Sequence, residues 1–111
     1  NKPTLLIYFS TECKHCQHQI SEISENIKEF ESSQVVMISI EEPDFLLSYF
    51  ANNKLLNRDH VFIVYDNELQ FEKTFGNCPF PTTFIYDKNW ELVKQCRGEV
   101  KVEALLKYLY L

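Results

Sequence analysis

The sequence predicts one α/β domain over residues 1–111: a central mixed sheet flanked by helices on both faces. Three observations predict it. Short unbroken apolar runs at residues 4–9 (TLLIYF), 34–40 (QVVMISI) and 61–65 (VFIVY) read as buried strands. Segments with helical apolar spacing separate them, the pattern of strands joined by crossover helices. A turn at residues 87–90 joins two further strand-like segments near the end of the chain, giving an antiparallel hairpin.

Each element has a local reason. After the first run, Ser10-Thr11-Glu12 breaks the strand with residues that cap helices. Beyond them Cys16, Ile20, Ile23, Ile27 and Phe30 recur at steps of four and three, with Gln17, His18, Glu22, Glu25 and Lys28 on the polar side. Pro43-Asp44 opens a second helix, because proline is tolerated in a first turn. Its expected apolar face is Phe45, Leu46, Tyr49 and Phe50. Residues 66–74 predict a short helix with Leu69 and Phe71 inward. Cys78-Pro79-Phe80-Pro81 carries two prolines and is expected outside helix and central strand. Residues 82–86 (TTFIY) and 91–95 form the hairpin. After Gly98, residues 100–109 close the chain as a helix with Val102, Leu105, Leu106 and Leu109 inward.

Composition narrows the function. Hydrophobic residues make up 45% of the chain, with nine Phe, six Tyr and two Gly, which excludes disorder. No apolar run is long enough for a transmembrane segment. The net charge of −5 and scattered basic residues argue against a nucleic-acid partner, and none is expected. The chain starts without Met and reads as a mature or trimmed fragment, so a missing targeting segment says nothing about compartment.

Four cysteines are present, and only Cys13 and Cys16 are closely spaced. A C-x-x-C where a strand passes into a helix reads as a redox motif. The helix N-terminus stabilises a thiolate at Cys13 through its partial positive charge and unpaired N–H groups. Cys16 lies one turn on, at the start of the apolar face, and is expected to be the more buried thiol. Lys14 and His15 add two potential cations. A stabilised thiolate favours the reduced form, so the dithiol is expected to be less reducing than one flanked by neutral residues. His15 and His18 raise the question of zinc, but Cys78 and Cys96 are isolated, and a closed zinc site wants a second ligand pair. Haem attachment needs His after the second Cys, where Gln17 stands. No metal or cofactor is expected. Cys78 and Cys96 read as small buried hydrophobes, with an accessory thiol role for Cys78 and a Cys78–Cys96 bridge left open. His60 reads as a surface loop residue, and Trp90 as an exposed or hairpin-packing aromatic.

A strand-end C-x-x-C helix followed by Phe80-Pro81-Thr82-Thr83-Phe84-Ile85-Tyr86 and a hairpin resembles the thioredoxin superfamily. The segment from Val61 to Pro81 resembles the strand-helix insertion of its TlpA-like branch, which are envelope thiol–disulfide oxidoreductases. The resemblance implies that Cys13 attacks, Cys16 resolves, Pro81 is a cis-proline facing the dithiol, and the Phe80 backbone pairs with an extended substrate. Gly98 matches the glycine before the last helix. Glu12 replaces the family's usual Trp and opposes thiolate formation if it points inward. Ile7 and Gln19 stand where relatives carry acids, leaving Glu12 or Glu22 as proton acceptors. Trp90 replaces the hairpin glycine, with Asn89 expected in the left-handed conformation.

The reading is a thiol–disulfide oxidoreductase acting on protein disulfides or dithiols and reset by an external redox partner. The resemblance implies a bacterial cell envelope or periplasm; the residues alone leave the cytoplasm open. Two alternatives are a thiol peroxidase of the peroxiredoxin type and a thioredoxin-fold binding module. The first resembles a Thr-x-x-Cys pattern that Thr11 misses by one residue, and the dithiol argues against the second.

Overall fold

The computed structural model describes residues 1–111. Its elements are β1 (Thr4–Tyr8), α1 (Lys14–Glu25), β2 (Gln34–Ser39), α2 (Pro43–Phe50), β3 (Val61–Tyr65), α3 (Gln70–Phe75), β4 (Thr82–Tyr86), β5 (Leu92–Arg97) and α4 (Val102–Leu109). The five strands form one sheet in the order β3-β2-β1-β4-β5. β2 pairs in parallel with β1 and β3, whereas β4 is antiparallel to β1 and to β5. The central strand, β1, therefore delivers its carboxyl end, and Cys13 beyond it, to the middle of one sheet edge.

Alternation along the strands divides the core in two. On one face Leu5, Ile7, Val35, Met37 and Ile85 meet Ile20 and Ile23 of α1, Leu46 and Phe50 of α2, and Leu105 and Leu109 of α4. Each such side chain contributes about 1.5–3 kcal/mol by leaving water. The periodicity seen beyond α1 continues through a 3-10 turn, Ile27–Phe30, which buries both of its ends. The other face is covered by α3 and by Cys78 and Phe80 of the loop that follows it. There Phe71 stacks on Tyr8 at 4.2 Å between ring centroids and meets Phe84 edge-on at 5.5 Å. Towards the β3 edge that face stays open, with Phe62 and Val64 exposed.

Several local expectations need correction. Phe45 is 51% exposed, so α2 buries only Leu46 and Phe50. Leu69 points outward because it enters α3 in a left-handed conformation (φ 54°), and Phe71 alone of the pair is buried. Leu106 is half-buried on α4. β5 starts one residue later than expected and runs on through Cys96, which pairs with Thr83. In the hairpin Trp90 itself, not Asn89, takes the left-handed conformation (φ 63°) and stands exposed. His60 is buried: its Nε2 lies 3.3 Å from the Ile27 carbonyl, tying the entry of β3 to the end of the first helical segment.

Candidate active site

Cys13 is the N-cap residue of α1, with extended backbone angles (φ −88°, ψ 121°). Its sulfur accepts the Cys16 N–H at 3.3 Å, taking one of the donors a helix start leaves unpaired. The same sulfur lies 3.7 Å from the carbonyl oxygen of Phe80. The Phe80–Pro81 bond is cis. The dithiol and the proline segment, 65 residues apart, thus share one edge of the sheet. Gly98 (φ 89°) donates its N–H to the Pro81 carbonyl at 2.8 Å, which brings the loop before α4 to the same place.

The two thiols differ sharply. Cys13 is half-exposed and Cys16 fully buried. Burial pushes the Cys16 thiol up to about 12; a hydrogen bond with the Ser10 backbone works against this, and Cys13 and Glu41 add to it. Cys16 is therefore a protonated thiol buried beside an accessible one.

Lys14, His15 and Glu12 are exposed, and Glu12 uses its backbone N–H on the Ser10 hydroxyl at 3.3 Å. Glu22 is exposed on the outer side of α1. The carboxylate whose charge is felt at Cys16 belongs to Glu41, which the sequence reading missed. Glu41 follows β2 and accepts the Thr11 N–H at 2.9 Å, the Thr11 hydroxyl at 2.6 Å and the Ser39 hydroxyl at 2.8 Å. It fastens the turn that presents Cys13. Gln19 is buried and clamps the chain before α4: its amide nitrogen donates to the Val100 carbonyl at 2.9 Å and its oxygen accepts the Val100 N–H at 2.7 Å. A glutamate there has no donor for that carbonyl. Cys78 lies in the second core with Tyr8, Phe71 and Phe84, and Cys96 is half-buried on β5; all four cysteines are free thiols.

The profile of the AhpC/TSA family matches residues 1–95. The chain belongs to this family. Within the AhpC/TSA family it is a TlpA-like member of the thioredoxin superfamily, as its C-x-x-C and proline motifs suggest. The thiol-disulfide oxidoreductase ResA of Bacillus thuringiensis subsp. konkukian is 26% identical over 110 residues, 97% of this chain and 62% of that protein. ResA of Bacillus anthracis is 28% identical over the same length, with the same shares. The AhpC/TSA chain thus spans 62% of the length of these curated relatives. The fold is that of the exposed lipoprotein thioredoxin Etrx1 of Streptococcus pneumoniae, which superposes with a TM-score of 0.77 at 20% identity, covering 98% of this chain and 84% of that one.

Proposed function

We propose that this chain is a thiol–disulfide oxidoreductase that exchanges disulfides with protein substrates through Cys13-Lys14-His15-Cys16. One observation carries the reading: an accessible Cys13 sulfur accepts a helix-start N–H, with a buried thiol one turn behind it and the Phe80 carbonyl in front. The resemblance to ResA supports it. The Cys13 thiolate attacks a substrate disulfide; a mixed disulfide forms and the substrate's other sulfur leaves as a thiolate. Cys16 loses its proton and attacks the Cys13 sulfur. The substrate departs with two thiols, having gained two electrons, and the protein keeps a Cys13–Cys16 disulfide. An external dithiol resets it, and the reverse sequence oxidises substrates. The Phe80 backbone beside Pro81 pairs with an extended substrate segment. The site of action is the bacterial cell envelope.

The decisive test is trapping. Cys16→Ser should accumulate a mixed disulfide with a disulfide-bonded client such as insulin, and Cys13→Ser should accumulate none. Equal trapping by both variants overturns the assignment. A peroxide-consumption assay on the same proteins addresses the peroxidase alternative, which gains if Cys16→Ser consumes peroxide as fast as the native chain.

A further inference from the structure

Glu99, in the loop between β5 and α4, has no role in the scheme above, yet it holds two side chains of the dithiol helix. Its Oε1 lies 2.7 Å from His15 Nδ1 and its Oε2 lies 2.8 Å from His18 Nδ1. One carboxylate, 81 and 84 residues away in sequence, thus bridges the residue between the two cysteines and the residue one turn on.

We propose that Glu99 is a positioning residue for the dithiol, acting through His15. A carboxylate only accepts, so both imidazoles present Nδ1–H to it, which fixes their tautomer and ring orientation. When His15 is protonated the contact becomes an ion pair that holds a cation on the first turn of α1, where the attacking sulfur carries negative charge. Two further contacts keep Glu99 in reach of α1. The buried Gln19 grips Val100, the next residue, from both sides, and the Gly98 N–H holds the Pro81 carbonyl. The Glu99 carboxyl sits below its ordinary range, chiefly through the hydrogen bonds of His15 and His18. The other charged side chains of these segments are Lys14 and Glu22 on α1, Arg97 and Lys101 flanking Glu99, and Glu103 at the start of α4. None of them is a cause of that shift.

The proposal rests on the dithiol chemistry above, and its test separates the two. Insulin reduction is followed from pH 5.5 to 9.5 for the native chain, Glu99→Gln, His15→Gln, the double variant and Cys13→Ser. Glu99→Gln should slow exchange about two- to fivefold near pH 6.5, the size an exposed ion pair supports. The gap should close in 1 M salt, which screens an exposed ion pair. In the His15→Gln background Glu99→Gln should change nothing further. A Glu99→Gln profile that tracks the native chain at every pH overturns the proposal, as does an equal loss in the His15→Gln background. Exchange surviving in Cys13→Ser overturns the parent reading instead.

Discussion

At the scale of the residue, the consequential feature is the proton on Cys16. Burial is the largest cause of its displacement to about 12, and it persists after Cys13 enters a mixed disulfide; the contribution of Cys13 does not. The resolving thiol therefore stays mostly protonated at neutral pH, and its thiolate fraction rises about tenfold per pH unit below its midpoint. The mixed disulfide should accordingly shorten its lifetime by close to tenfold between pH 7 and 8. Acid quenching of a preformed Cys13 adduct at timed intervals measures this, and a pH-independent lifetime would show that Cys16 is already ionised. The dithiol was legible in the sequence from its local spacing, and the place of Pro81 from the resemblance to the thioredoxin superfamily. Glu41 and Glu99 were not, and Gln19 was noted only for standing where relatives carry an acid. Each is an ordinary polar residue until the fold brings it to Thr11, Val100 or His15, contacts that span 30 to 84 positions. Topology offered one hint: Glu41 follows β2, parallel to β1, so it must emerge at the same edge as Cys13.

At the scale of the element, α3 is the part on which the second sheet face depends. It has six residues, too few to be a stable helix alone. Asp66 starts it by accepting the N–H groups of Gln70 and Phe71, both at 2.8 Å. Phe71 then joins it to the sheet through Tyr8 and Phe84, with Phe75 at 4.7 Å. Phe71→Ala should cost about 3–5 kcal/mol in urea unfolding and should release amide protection in α3 before that of α1. A loss below 1 kcal/mol would mean that α3 is not anchored by this ring. Short elements were also where sequence reading erred. Six residues give fewer than two helical turns, so Leu69 and Phe71 looked equivalent; the left-handed entry at Leu69 decides between them. In the long α1 the repeated spacing of Ile20 and Ile23 left no such ambiguity.

At the scale of the molecule, four groups hold their protons above the ordinary range for one leading reason, burial: Tyr8, Tyr49, Cys16 and Cys96. The unfolded chain releases these protons at lower pH than the folded one does. Above about pH 9 it therefore binds fewer protons, and stability falls as pH rises. For Cys16 the window runs from its ordinary value of 9.0 to about 12. Its contribution is complete below that window and is lost through it, with a slope approaching about 1.4 kcal/mol per pH unit for one thiol. Comparing Cys13→Ser with Cys13→Ser/Cys16→Ser isolates the term, because neither protein can form the Cys13–Cys16 disulfide and only the first retains the buried thiol. Urea midpoints should run together up to pH 8.5 and diverge above it, the single variant weakening faster. Tyr8 and Cys96 act equally in both proteins and cancel, whereas Tyr49 feels the Cys16 charge and adds to the divergence in the same direction. Parallel midpoints to pH 11 would mean that the Cys16 site is wet enough to accept a thiolate, and burial would then not be what keeps this thiol protonated.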